Sequence, residues 1–137
     1  MTMDYSEIVA EASLPGVRRI ADAILGQLDV KVIKPPTPGM VMVRHADPLE
    51  NTLFLLGEAY VTECEVDVEG LLGYGCTLGA GEERALCAAL VDAVIGGGHA
   101  MGPDIVRYLE EEERDIQERW STEAATAAST RVSFDVR

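Results

Sequence analysis

Three carboxylates at alternate positions, Glu63, Glu65 and Asp67, form the densest set of side chains in this chain that could do chemistry. On a strand they point the same way, and a hard cation or a basic partner could approach them together. Positions two apart along a strand stand about 7 Å from each other, so the three cannot converge on one ion unaided. The row reads as a solvated strand face or as an acidic docking surface for a basic partner. His45 and His99 are the two histidines. Neither has HxH, HExxH or HxxxH spacing or a cysteine within four residues, so neither a metal centre nor a Cys/His dyad is written into the chain. Gly73, Gly75 and Gly79 precede a helical pattern but match neither GxGxxG nor GxxxxGK[ST]. A strand–turn–helix connection that needs small residues accounts for them better than a phosphate cradle. No catalytic residue, no cofactor and no metal ligand is expected.

The elements that must hold these residues follow from hydrophobic period. Ile8, Val9 and Ala12 share one face of a short helix over residues 6–12, capped by Ser6. Leu14, Val17, Ile20, Ala21, Ile24, Leu25 and Leu28 predict a second helix over 14–28, with Ser13 as N-cap and Pro15 in the first turn. The period then changes to two. Residues 30–34 read as a strand stopped by the cluster Pro35, Pro36 and Pro38, and residues 40–45 read as another. The stretch 53–68 is a third strand, bent or bulged at Gly57, in which Thr62, Cys64, Val66 and Val68 alternate with the acids. Glu69 and Gly70 turn the chain into a fourth strand over 72–78.

A helix opens after Gly81, with Glu82 and Glu83 where the macrodipole favours acids. Ala85, Leu86, Ala89, Leu90, Ala93 and Val94 form its apolar stripe, and the run Gly96, Gly97, Gly98 ends it. A final helix from Pro103 carries Ile105, Val106, Leu109, Ile116 and Trp120 and continues through Ala124 to Ala128. Its charged run over 110–119 reads as a solvated face with pairs at spacing four. The fold class is α+β: an antiparallel meander of about four strands, flanked by N-terminal helices and two C-terminal helices, with a terminal strand. At 137 residues one domain, 1–137, is expected.

Charge narrows the partners. Acids number 24 against 11 bases, a net charge of −13. Nine of the acids lie between His45 and Glu83, a stretch with no Lys or Arg. Such a field repels phosphate backbones and anionic headgroups, so neither nucleic acid nor membrane is an expected partner. No apolar run spans a bilayer and the first residues do not resemble a secretory leader. Cys64, Cys76 and Cys87 form no CxxC pair, which suits reduced thiols in a cytoplasm. Cys64 and Cys87 fall on apolar faces as small core residues.

Two features point outward. Trp120 lies late on the last helix, and Val132, Phe134 and Val136 alternate with Arg131, Ser133 and Asp135 as on a strand. Such a strand must pair with a sheet edge, in its own domain or in another chain. With Glu63, Glu65 and Asp67 these are the candidate partner-contact residues. An apolar surface of this kind predicts a homo-oligomer or a hetero-oligomer. The competing reading is an autonomous acidic α+β module, binding a small ligand or acting as an enzyme through His45, His99 and nearby carboxylates.

The order of segments carries a resemblance. The stretch FLLGEAYVTECEV at 54–66 resembles the central block of the PhnG family, a subunit of the bacterial carbon–phosphorus lyase system. LGYGCTLG at 72–79, followed by ERALCAALVDA at 83–93, is similar to its second block, and ASTRVSF at 128–134 to its third. The resemblance implies a subunit assembling with sister subunits H, I and J. It also implies support for displacement of adenine from ATP by an alkylphosphonate, giving a ribose 1-alkylphosphonate 5-triphosphate, with the chemistry credited to the I subunit. A non-catalytic role agrees with the missing active site, and the negative charge suits a surface that does not bind a polyanionic product.

Overall fold

The structure, a computed structural model, describes residues 3–47, 49 and 52–130, without the side chains at 43–47, 52–56 and 128–130. The chain begins with two helices, α1 (Tyr5–Glu11) and α2 (Leu14–Leu25). Asp4, not Ser6, holds the N-cap position of α1, and the Ser6 hydroxyl donates to its carboxylate at 3.0 Å. Ser13 caps α2 as expected, its Oγ accepting from Gly16 N at 3.2 Å. α2 stops three residues early, where Gly26 N–H turns back to Asp22 O.

The sheet has three antiparallel strands in the order β1-β2-β3: β1 (Val30–Asp47), β2 (Thr52–Val68) and β3 (Leu71–Leu78). The expected count of about four is corrected because residues 30–34 and 40–45 belong to one strand that runs through the prolines. β1 is an edge strand, where a residue without an N–H interrupts no second ladder. The register shift at Lys34/Thr37 absorbs Pro35 and Pro36 as a bulge, and Pro38 stays in register with Thr62. The bulge expected at Gly57 is present as a shift at Val43/Arg44, opposite a glycine with φ +150°.

β3 pairs only with residues 61–68 of β2, so the far halves of β1 and β2 continue past it as a two-stranded ribbon. The inner face of the sheet carries buried Thr62, Cys64, Val66 and Val68 from β2, with Gly73, Gly75 and Thr77 from β3. Helix α3 (Glu82–Val91) lies on this face and passes into a π-helical turn over Asp92–Gly96. Contact is close because β3 offers glycines. A Cβ on Gly73 would stand 2.7 Å from Ala93 N, and one on Gly75 would stand 2.9 Å from Ala88 Cβ. Gly73 and Gly75 therefore serve helix–sheet packing inside β3, and of the three only Gly79, at φ +75°, serves the strand–turn–helix connection expected of them.

α4 (Gly102–Thr130) packs on α1, α2 and the π-helical turn. Ile105, Leu109 and Ile116 are buried, together with Ile8, Ile20, Ile24, Leu90 and Val94 of the other helices. Two acids of the run expected to be solvated are buried as well, Glu112 and Glu113. The reason is tertiary: Glu112 accepts from Arg19 Nη2 at 2.9 Å and Glu113 from Met3 N at 2.7 Å, tying α4 to both N-terminal helices. Arg119 donates to Glu11 O at 2.6 Å instead of serving only its own helix. Residues 117–127 are all exposed, so the distal half of α4 projects from the body. α4 continues to Thr130, and residues 131–137, where the terminal strand is expected, lie outside the described residues.

Candidate functional site

The acid row sits on β2 with its side chains opposite the helices, on the open face of the sheet. Glu63, Glu65 and Asp67 are half-buried, while the residues between them are fully buried. Each acid has a different neighbour. Glu63 accepts from Tyr74 OH at 2.6 Å and from Lys34 Nζ at 3.1 Å. Those two donors hold its carboxyl below the usual range, Tyr74 first, and the same bond pushes the Tyr74 phenol upward. Glu65 stands across from Lys34 on β1 and Tyr74 on β3. Asp67 stands across from Lys31 and accepts from Gly70 N at 2.7 Å, closing the β2–β3 turn. The row is thus interleaved with Lys31 and Lys34 from the edge strand, and its charge is partly met within the sheet. Among the described residues no group of three or more His, Cys, Asp or Glu is placed to hold a metal ion.

Around these acids the open face is apolar. Leu72, Tyr74 and Leu78 of β3 are exposed, and Cys76 beside them presents an accessible thiol. The ribbon adds exposed Val41 to this face, while Met40, Met42 and Tyr60, also exposed, alternate to the opposite face. Period-two reading placed these residues on strands but could not show that nothing covers them. Their signal was the alternation itself, which leaves half of each strand without a helix. A charged row set in exposed apolar side chains has the chemistry of a protein–protein contact surface.

The two histidines are not brought together. His45 pairs by backbone with Phe54 on the far ribbon, and its side chain lies outside the described residues. His99 sits near the opposite end of β1, separated by roughly 45 Å of strand. There Nδ1 accepts from Met101 N at 2.9 Å and Nε2 lies 3.1 Å from Glu69 Oε1. The first bond fixes the tautomer: Nε2 carries the proton and donates to Glu69. Glu69, at φ +51°, also accepts from Asp29 N at 3.4 Å, and the His99 bond holds its carboxyl low. Both ring nitrogens are committed to fastening the β2–β3 turn to the loop before α4. A general base needs one of them free.

The thiols on apolar faces behave as core. Cys64 and Cys87 are fully buried, and burial raises both, Cys87 to about 12. Trp120, 44% exposed, lies on the projecting half of α4. Val132, Phe134 and Val136 lie outside the described residues. A fastening that sequence reasoning missed is Arg84, whose Nη1 donates to Val9 O, Ala10 O and Ala12 O at 2.9, 3.2 and 2.6 Å. It caps the C-terminal end of α1 from α3, and no local signal announces it.

A hollow of about 430 Å³ opens beside β3, between α1 and α3, with Val9, Tyr74, Cys76, Val91 and Asp92 in its lining. A second, of about 570 Å³, lies beside His99 and is lined by Val94, Pro103 and Val106. No helix among the described residues is long and apolar enough to cross a membrane.

Comparison with known proteins now adds what geometry alone does not. Residues 3–137 match the family described as "Phosphonate metabolism protein PhnG". The chain is also similar to the "Alpha-D-ribose 1-methylphosphonate 5-triphosphate synthase subunit PhnG" of Rhizobium meliloti (strain 1021). Identity with it is 31% over 129 residues, covering 93% of this chain and 81% of that protein. A match over nearly the whole described fold, open acidic face and projecting helix included, places this chain in the PhnG family of phosphonate metabolism proteins.

Proposed function

We propose that this chain is a non-catalytic subunit of a ribose 1-methylphosphonate 5-triphosphate synthase within a carbon–phosphorus lyase core complex. Its partners in this reading are the sister subunits H, I and J. The complex supports attack of an alkylphosphonate oxygen on the ribose C1 of ATP, with cleavage of the N-glycosidic bond and departure of adenine. The observation that carries the reading is the 31% identity to a named subunit of that synthase over 93% of the chain.

The side chains support the non-catalytic half of the reading. His99 has both ring nitrogens engaged, Cys64 and Cys87 are buried, and Glu63 is held by Tyr74 and Lys34. The outer sheet face, with Glu63, Glu65 and Asp67 among Tyr74, Leu72 and Leu78, serves as the docking surface for a basic or neutral sister subunit. Met40, Met42 and Tyr60 on the other face of the ribbon, and Trp120 on α4, offer a second contact surface. A polyanionic product gains nothing from such a surface, so substrate binding belongs to the sisters. Since residues 1–137 act as one domain in this account, assembly and not turnover is the property that substitutions should affect.

The test is reconstitution. Adenine release from ATP and methylphosphonate is followed with the sister subunits alone, with this chain alone, and with all together. Activity that appears only with all present, and that survives His99→Gln in this chain, is the expected result. Sustained release by this chain alone, abolished by changing His45 or His99, would restore the autonomous-enzyme reading.

A further inference from the structure

Along β3 the edge of the sheet carries backbone groups with no strand to meet them. Gly79 N donates to Tyr60 O at 2.8 Å, so in the β2–β3 register the odd residues of β3 turn their N–H and C=O groups to β2. The even residues, Leu72, Tyr74, Cys76 and Leu78, turn theirs outward. Among the described residues Tyr74 N alone meets a partner there, Asp92 Oδ2 at 2.9 Å. Asp92 belongs to the π-helical turn, and its carboxylate takes the place that a carbonyl of a further strand would fill.

The helix layer extends past this edge and leaves room beside it. The hollow of about 430 Å³ opens there, with Val9, Ala88, Val91 and Ile95 as its apolar lining. It lies outside α3, whose backbone already fills the space over Gly73 and Gly75. Two carboxylates, Asp4 and Asp92, line it as well. Asp4 accepts from the Ser6 hydroxyl and Asp92 from Tyr74 N, and neither meets a cation among the described residues.

Edge and hollow together specify an occupant. In a strand added to β3, the residues beside Tyr74 and Cys76 point to the open side of the sheet. Those between them point to the helix layer, into the hollow. The helix-side positions nearest Tyr74 approach Asp92, so lysine or arginine suits them, while apolar side chains suit Val9, Val91 and Ile95. Once the added strand gives a carbonyl to Tyr74 N, the Asp92 carboxylate is released to pair with that cation.

A second copy does not meet this specification. Its β3 offers Gly73, Gly75 and Thr77 to the helix side, and Lys31 and Lys34 of its β1 face the open side. It would also bring together two chains that each carry a net charge of −13. We infer that the β3 edge binds an extended segment of a different protein by strand addition, with basic and apolar residues at its helix-side positions. The inference is independent of the reaction proposed above.

The probe is a capped peptide, Thr-Lys-Thr-Val-Thr-Lys-Thr, added to the isotopically labelled full chain. It reads the same in both directions, so it offers lysine, valine and lysine to the hollow in parallel or antiparallel addition. The expected result at millimolar peptide is a saturable shift of the Leu72, Tyr74, Cys76 and Leu78 amides, with slowed hydrogen exchange at Cys76. Asp92→Asn, which keeps an acceptor for Tyr74 N, should weaken binding about five-fold at an unchanged melting temperature. Glutamate in place of both lysines should abolish binding. So should proline in place of the two inner threonines, which keeps the charge but cannot pair as a strand. No saturable shift, wild-type affinity in Asp92→Asn, equal binding of the proline peptide, or shifts confined to Glu63, Glu65 and Asp67 would each overturn the inference. Leu72, Cys76 and Leu78 amides already protected in the free chain would do so too, because its own residues or a second copy would then hold the edge.

Discussion

The carboxyl group of Glu112 on α4 occupies the space that any side chain at Gly16 of α2 would need. Gly16 is buried, and the Glu112 side chain is only 5% exposed while it bonds to Arg19. The glycine in the first turn of α2 is therefore a recess for an acid almost a hundred residues away. Arg19, stacked over the Tyr108 ring with 5.4 Å to the centroid, completes the junction.

Gly16→Ala should accordingly destabilise the fold by about 2 kcal/mol, although alanine is the better helix former. The methyl group forces the buried carboxylate off Arg19. Urea denaturation checks the single variant. The double variant with Glu112→Ala should cost clearly less than the two single changes added, because the second removes the clash of the first.

Glu112 also sets a pH dependence of unusual sign. Burial raises its carboxyl, with Arg19 offsetting part of the shift. The folded state thus binds this proton more tightly than the unfolded chain. Its contribution falls as pH rises from the ordinary carboxylate value through the raised one. Glu63, Glu69 and Glu83 are lowered by Tyr74, His99 and Arg18, so they act in the opposite sense and lose their contribution as pH falls. Glu112→Gln should therefore gain on the wild-type melting temperature between pH 4 and pH 7. An unchanged difference across that range would count against the buried-acid account.

The glycines under α3 should be the least replaceable positions in the sheet. Gly75→Ala places a methyl group 2.5 Å from Ala89 N, against helix backbone that cannot rotate aside. A loss of about 3 kcal/mol is expected. Gly70→Ala is the contrast. At φ +90° with open space around it, only backbone strain of about 1–2 kcal/mol opposes the change. The ranking of the two urea midpoints decides the matter.

Arg84→Met should release α1. The methionine keeps much of the buried stem but leaves the Val9, Ala10 and Ala12 carbonyls without their charged donor. About 2 kcal/mol is expected from hydrogen bonds to a charged group. Amide hydrogen exchange should show the loss first in residues 5–12, with β2 and β3 protected nearly as before.

Much of this protein was legible in local pattern. Apolar period placed α2, α3 and α4, the alternation of Cys64, Val66 and Val68 with Glu63, Glu65 and Asp67 fixed which face of β2 is buried, and Ser13 marked a real cap. These succeed because a helix stripe or strand face is set by neighbours a few residues away. The proline cluster misled, since whether a proline ends a strand depends on whether that strand lies at an edge, which only the pairing of β1 with β2 decides. The charged run on α4 misled for the same reason. Glu112 is buried because Gly16 makes room and Arg19 supplies a charge, and both lie on another helix. Likewise the sequence offered His45 and His99 as candidates, but the length of β1 keeps them apart and two hydrogen bonds occupy the second. Side-chain type and spacing determine what a segment can bury. Which carboxylates meet a cation, which edge stays open and which glycine becomes a recess are settled by elements distant in sequence, because only tertiary packing brings their groups within hydrogen-bonding or van der Waals reach.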